Sequence, residues 1–192
     1  MSGTLYYSEK IFDRTTFQEN EYVEAVFENC VFKNCDFSSI NFSSTDFVET
    51  KFDACNFSMS KFDNTGLKDV KFENCKLTGV DFANSKDFLF SVDFNNCMLD
   101  YTSFTKKKNK KCSFIDCSIK GADFTEADLT GSVFHNCDLS TAIFMRTVLT
   151  GANFVTAHNF EIEPEKNIIR KAKFSSGGLA GLLFSYGIII ES

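Results

Sequence analysis

The hydrophobic residues of this chain recur every five positions between residues 12 and 154. Phenylalanine holds the repeating position in seven successive units, at Phe32, Phe37, Phe42, Phe47, Phe52, Phe57 and Phe62. A five-residue period matches neither the roughly 3.6-residue turn of an α-helix nor the alternation of a half-buried strand. It is typical of a repeat protein, whose short units bury their apolar side chains only by stacking on one another.

A second position, two residues before each central one, carries small side chains such as Ala25, Thr45, Val70 and Ala122. All eight cysteines share this phase: Cys30, Cys35, Cys55, Cys75, Cys97, Cys112, Cys117 and Cys137. The other three positions are mostly Ser, Thr, Asp, Asn, Lys and Glu. Each unit should therefore turn two side chains inwards and three outwards.

The repeat changes phase once, in the segment ANSKDFLFSVDF, where 12 residues separate Phe82 from Phe94. Two extra residues have entered, and the simplest register makes Leu89 the intervening inward residue. Phe88 and Phe90 would then point outwards and form an exposed contact site. Alternatively, the bulge folds one ring back into the core, because two exposed phenylalanines are costly.

The units GADFT, EADLT, STAIF and TGANF resemble the pentapeptide-repeat family, whose units centre on Leu or Phe with a small residue two positions earlier. This resemblance implies an all-β fold, a right-handed quadrilateral parallel β-helix with four units per coil. The cysteines independently support a 20-residue coil, because Cys35, Cys55 and Cys75 are 20 residues apart. We predict one domain over residues 1–192, with the main repeat array at 12–154.

Residues 155–192 are predicted to hold an irregular coil, the last repeats and a C-terminal tail. The run NFEIEPEKNIIRKAKF, followed by LLFSYGIII, is similar to the tail of quinolone-resistance (Qnr-type) pentapeptide proteins. We expect a short helix over Leu179 to Leu183 that ends at Gly187, and then a strand from Ile188 to Ile190. The resemblance implies a head-to-head homodimer, joined here through Leu182, Leu183, Tyr186, Ile188 and Ile190. The alternative is a monomeric hydrophobic lid.

The charge of the chain limits the partners that it can bind. The 192 residues carry a formal net charge of −6, with a sequence pI near 5.0. Residues 1–104 contain 9 basic and 17 acidic residues, whereas residues 105–192 contain 11 and 9. Direct binding to nucleic acid or an anionic membrane is disfavoured, since both need a basic surface.

The N-terminus MSGTLYYSEKIFD lacks the basic and apolar regions of a signal peptide, so we expect a cytoplasmic protein.

Eight cysteines could indicate a disulfide framework, but the chain shows no secretion signal. A ladder of one residue type also offers no tetrahedral metal cluster. Free buried thiols are therefore favoured over disulfides and metal ligands.

The chain has two histidines, His135 and His158, and both fall outside the inward phases. Without a phosphate loop, a nucleophile motif or metal-ligand spacing, we predict a protein that is not an enzyme and binds no cofactor.

Two functions are compatible with these features. Qnr-type proteins bind type II topoisomerases, so the resemblance implies an acidic DNA mimic that binds DNA gyrase or topoisomerase IV and confers quinolone resistance. Asp36, Asp46 and Asp81, with Phe88 and Phe90, are the candidate contact surface. The segment KKKNKK at Lys106 to Lys111 would oppose a DNA-binding channel, although a solvated, solubilising bump is the favoured interpretation. The alternative function is a repeat scaffold that binds another protein.

Overall fold

The computed structural model describes residues 5–17 and 22–189, and the described residues form a four-sided parallel β-helix. The strands are β1 (Tyr6–Ser8), β2 (Ile11–Asp13), β3 (Val26–Glu28), β4 (Val31–Lys33), β5 (Asp46–Val48), β6 (Lys51–Asp53), β7 (Gly66–Lys68), β8 (Val70–Glu73), β9 (Val92–Asn95), β10 (Ser113–Ile115) and β11 (Val133–His135). The helical elements are α1 (Ala180–Leu183) and three 3-10 turns, Pro164–Lys166, Ser176–Gly178 and Phe184–Tyr186.

Two of the four sides are parallel sheets. One sheet has the order β1-β3-β5-β7, and the other has the order β11-β10-β9-β8-β6-β4-β2. The register advances by 20 residues per coil, as in Phe12↔Phe32, and by 22 residues at Phe72↔Phe94. The other two sides are turns, joined by single parallel bridges such as Asp36↔Asn56. The predicted fold class is confirmed, with the two extra residues accommodated in a single coil.

The parallel ladder continues past both ends of the predicted array. Tyr7 already occupies a central position, since its ring stacks on Phe27 at 5.0 Å with an interplanar angle of 10°. At the other end, the bridge Asn153↔Lys173 continues the ladder, and Phe174 stacks on Phe154 at 5.3 Å. Residues on each side of 12–154 therefore add coils to the same solenoid.

The phenylalanines stack in columns along the helix axis. Phe114 lies 4.8 Å from Phe134, ring centre to ring centre, with the two rings 8° from parallel. Rings from neighbouring sides meet edge to face, as Phe52 and Phe57 do at 4.9 Å and 88°. Both arrangements suit the quadrupole of an aromatic ring. Full burial of each ring contributes about 1.5–3 kcal/mol to folding, so the central positions supply most of the stability.

The corners between sides are formed by residues with positive φ. Asparagine fills several of them, including Asn29 at 52° and Asn34 at 53°, and its short polar side chain tolerates this conformation better than most. Glu49 and Met59 adopt it as well, at 48° and 61°. The ladder on both sides of a corner therefore imposes the left-handed conformation even on residues that do not favour it.

All eight cysteines are free and buried, as predicted. Seven of the thiols donate to backbone carbonyls, as Cys75 Sγ does to the Glu73 oxygen at 3.1 Å and the Phe52 oxygen at 3.5 Å, whereas Cys112 Sγ donates to Ser132 Oγ at 3.1 Å. Burial raises the pKa of Cys35 to about 11 and that of Cys112 to about 12. These two thiols are therefore protonated at neutral pH and behave as small apolar groups with a weak donor.

The predicted register of the insertion is wrong at Leu89. Leu89 is 53% exposed and has a φ of 56°, so it forms a corner, and the next residue, Phe90, enters the core at 6% exposure. The alternative, in which one ring folds back inside, is what the structure shows. Asn159 and Phe160 repeat this arrangement, with Asn159 at a φ of 59° and Phe160 buried. A left-handed residue thus brings an out-of-phase phenylalanine into the core.

The C-terminal tail folds back over the last coil. α1 and the turn after it end at Gly187, whose φ is 61°, and this confirms the predicted helix end. The predicted strand is wrong at Ile188 and Ile189, which form no ladder pairing, and Ile190 lies outside the described residues. The Ile162 N–H donates to the Gly181 carbonyl at 2.9 Å, and this bond places α1 directly against Phe160.

Gly181 should tolerate no side chain. A Cβ added there would lie 2.1 Å from the Phe160 carbonyl oxygen, whereas a Cβ at Gly177 would meet nothing within 4 Å. We expect Gly181→Ala to lower the free energy of unfolding by about 1–3 kcal/mol because the tail must move away. Gly177→Ala should change it by less than about 0.5 kcal/mol. Urea unfolding of both variants measures the difference, and equal stabilities would contradict this close packing.

Candidate protein-interaction surface

The outward aspartates of the turn sides have a structural role in addition to their charge. Asp36 Oδ1 accepts the Ser38 N–H at 3.0 Å, and Asp81 Oδ1 accepts the Ala83 N–H at 2.8 Å. Asp123 and Asp128 bind the backbone N–H two residues later in the same way. Such bonds stabilise tight turns, which explains why Asp and Asn recur at this position. Asp36 and Asp81 nevertheless stay exposed, so their charges are available to a partner.

At two of the turn aspartates, Asp36 and Asp138, hydrogen bonds also favour the ionised carboxylate. Bonds from Ser38 and Asn56 hold the pKa of Asp36 below its ordinary value. At Asp138 partial burial alone would raise the pKa, but bonds from Ser140, Asn159 and Lys120 outweigh burial and hold it well below its ordinary value.

Asp46 is in a different environment because it lies on a sheet side. Its Oδ1 lies 2.5 Å from Lys86 Nζ, two coils away. The carboxylate reaches Lys86 across Gly66, where an added Cβ would stand 2.3 Å from Asp46 Oδ1. Asp46 is therefore paired within the chain and adds little to an acidic surface.

The insertion forms a bulge over residues 86–91, and we refer to this segment as the bulge. Phe88 is its most exposed large apolar side chain, at 81%, and the sequence predicts this exposure. Phe90 cannot contact a partner because it is buried, so its assignment to the contact surface is wrong. Phe88 and Leu89 border a cavity of 270 Å³ that is also lined by Val48, Leu67 and Lys68. The bulge is thus an apolar protrusion beside a cavity lined by both apolar and charged side chains.

The segment Lys106–Lys111 is only partly the solvated bump that the sequence suggests. Lys107 is 1% exposed, and Asn109 is also buried, at the central position of its unit. Lys107 Nζ donates to the Ser85 carbonyl at 2.6 Å and to Asp87 Oδ1 at 2.7 Å. The remaining lysines of the segment are exposed, and Lys110 pairs with Asp128 at 3.1 Å. Periodicity alone could have found Lys107, which has the phase of the small inward residues.

The histidines form no cluster with other ligating groups. His135 Nδ1 lies 3.1 Å from Thr156 Oγ1, and both His135 and His158 are exposed. Within residues 5–17 and 22–189, no three His, Cys, Asp or Glu side chains are placed to hold a metal ion. The same residues include no helix with the length and apolar character needed to span a membrane.

The sequence model of the pentapeptide repeat region matches residues 25–86 and 88–163, which is more than half of the chain. This chain belongs to the pentapeptide-repeat family. The gap between the two matched segments is Asp87, inside the bulge. None of the curated proteins compared matches the chain.

Solved structures of one pentapeptide-repeat protein are similar over nearly the whole chain. A trypsin-treated variant of QnrB1, a plasmid-mediated fluoroquinolone resistance protein, is 20% identical with a TM-score of 0.65, over 99% of this chain and 100% of that one. Full-length QnrB1 is 21% identical with a TM-score of 0.53, over 95% and 100%. Because the sequence identity is low, this similarity establishes the shared fold alone.

The Asp138 carboxylate predicts how stability depends on pH. Because its pKa is lower folded than unfolded, its contribution is full above about pH 4, the ordinary pKa of Asp, and is lost as pH falls towards the folded value. We expect Asp138→Asn, which keeps an acceptor for Ser140, to lose less stability between pH 6 and pH 3 than the parent. Urea unfolding across this range tests the difference, and parallel curves would contradict it.

Proposed function

We propose that this pentapeptide-repeat protein is a non-enzymatic DNA mimic that binds DNA gyrase or topoisomerase IV and protects them from quinolones. The observation that carries the proposal is the placement of exposed carboxylates on a rigid four-sided rod. Asp36 lies in one bridged column and Asp81 in the column of the neighbouring turn side, and both are exposed. Asp138 and Asp123 continue the same two columns but are half-buried, and Asp138 is paired with Lys120. The architecture shared with QnrB1 supports the same interpretation.

The physical basis is the attraction between fixed negative charge and a basic channel that normally holds DNA. Turn hydrogen bonds fix each carboxylate, so little side-chain entropy is lost on binding. Coils are about 4.8 Å apart, but Lys61 and Lys76 interrupt the two columns. The charge is therefore sparser than that of duplex DNA, and we expect moderate affinity that falls as salt rises.

Gyrase supercoiling with and without a fluoroquinolone tests the proposal directly. Titrating the protein should restore supercoiling at low concentration and inhibit it at higher concentration, as a competitor for the DNA site would. The double variant Asp36→Asn, Asp81→Asn should keep both turns, because Asn accepts the same N–H, and should require a higher concentration for either effect. Wild-type protein without effect over the whole range would contradict topoisomerase binding.

A second candidate function is a scaffold for a different protein partner. The exposed lysines at Lys106, Lys108 and Lys111 favour it, because a basic DNA-binding channel would repel them. Under this hypothesis the supercoiling assay shows no effect.

We also propose that the tail joins two copies in a homodimer. Large apolar side chains of the tail remain exposed: Leu179, Leu183, Phe184, Tyr186, Ile188 and Ile189. Leu182, also predicted at the interface, packs instead against the core of its own chain while staying half-buried. The Tyr186 hydroxyl donates to Glu165 at 2.7 Å, which orients its ring at the surface. A cluster of this kind on a folded surface is typical of a protein contact.

Light scattering at micromolar concentration should give the mass of a dimer. Ile188→Glu should produce monomers, because a charge cannot be buried unpaired in an apolar interface. Ile11→Glu, at an exposed isoleucine near the other end of the rod, should leave the dimer intact. A monomeric parent protein would contradict the proposal.

A further inference from the structure

We propose that Phe88 and Leu89 form a preorganised apolar contact for a protein partner, and that buried Lys107 is the positioning residue that holds them outwards. The identity of the partner rests on the proposed function: the contact would insert into an apolar pocket of the topoisomerase, outside its DNA channel. Lys107 itself touches no partner, and it acts only through the bulge.

The side chain of Lys107 reaches the bulge from the following coil. Its ammonium binds the Ser85 carbonyl just before the bulge and the Asp87 carboxylate within it. The same nitrogen lies 5.3 Å from the centre of the Phe90 ring, within cation–π range. One buried cation thus contacts the backbone at Ser85, the side chain of Asp87 and the ring of Phe90, which anchors the bulge in the core.

Three further contacts fix the bulge from other coils. Asn109 donates to the Val92 carbonyl at 3.0 Å and accepts the Val92 N–H at 3.1 Å, immediately after the bulge. Lys86 pairs with Asp46 from two coils earlier. The Ser91 N–H also donates to the Leu67 carbonyl at 2.9 Å. The bulge is therefore held at both ends, which leaves Phe88 and Leu89 exposed on a fixed backbone.

Lys107 is far larger than the residues that stack above and below it. The residues above and below it in the same inward column are Ser85, which accepts its bond, and Ala127, and both are small and buried. A buried ammonium costs more than a small residue unless it is paired and hydrogen-bonded. Lys107 Nζ donates to the Ser85 carbonyl, directly before the bulge, and to Asp87 within it, so holding the bulge accounts for its presence.

The charges around the bulge indicate the chemistry of the partner. Lys86 and Lys107 are paired with Asp46 and Asp87, so the anchors contribute no unpaired charge. The protruding groups are two large apolar side chains beside a cavity that apolar residues line together with Asp46, Lys68 and Lys86. Such a surface fits an apolar protein pocket rather than nucleic acid, and its contribution to binding should not depend on salt.

The positioning role can be tested without any partner. The chain contains no tryptophan, so Phe88→Trp provides a single fluorescent reporter at an exposed site. In this background, Lys107→Met, which keeps the buried length without the ammonium, should lower the fluorescence anisotropy of Trp and speed amide exchange at Ser91 and Val92 by about tenfold. Lys108→Met, at the adjacent exposed lysine, should change neither. If Lys107→Met unfolds, Asp87→Asn, at an exposed residue, should give a smaller change in the same direction.

Unchanged anisotropy and exchange in Lys107→Met and Asp87→Asn would overturn the positioning role. Binding to gyrase then tests the contact made by Phe88 and Leu89.

Phe88→Ala and Lys107→Met should each weaken binding to gyrase by about tenfold, equally at about 50 mM and about 300 mM salt. The effect of Asp36→Asn with Asp81→Asn should shrink at the higher salt. Full affinity in Phe88→Ala overturns the contact. A wild-type protein that does not bind gyrase overturns the partner and the proposed function, while the anisotropy comparison still decides the role of Lys107.

Discussion

Burial of one large side chain every fifth residue is the constraint on which the whole structure depends. Each central ring can reach its neighbours only if successive coils stay in register, as Phe114 does between Phe94 and Phe134. An insertion that was not absorbed within one coil would move every later ring out of its column. Because an interior of this density tolerates few voids, the stack requires a large side chain at almost every central position.

The polar positions follow from the same stacking. An outward side chain on a turn side lies beside a backbone N–H that its own turn leaves free, and Asp or Asn can accept it two residues away. The carboxylates that could imitate DNA are therefore first of all turn-forming residues. Structure and interaction share the same side chains, and Asp→Asn substitutions can separate the charge from the hydrogen bond.

The insertion shows how the stack accommodates an irregular coil. Two additional residues leave one central position without its usual side chain, and Phe90 enters from a later position to fill the space. In the following coil, Lys107 and Asn109 bind the backbone carbonyls of Ser85 and Val92, which flank the bulge. An irregularity in one coil thus changes the side chains required in the next, which explains why KKKNKK lies one coil after the bulge.

The sequence by itself determined the repeat, the inward phases, the 20-residue coil and the burial of the cysteines, because each depends on a periodicity that stacking enforces. It could also locate the insertion. Only the tertiary structure decided that Phe90 rather than Leu89 turns inwards, since this depends on a left-handed φ at Leu89. The pairing of Asp46 with Lys86 and of Lys107 with Asp87 was likewise fixed only in three dimensions. Both pairs join residues of different coils, and no local pattern specifies which side chain of a neighbouring coil will be within reach.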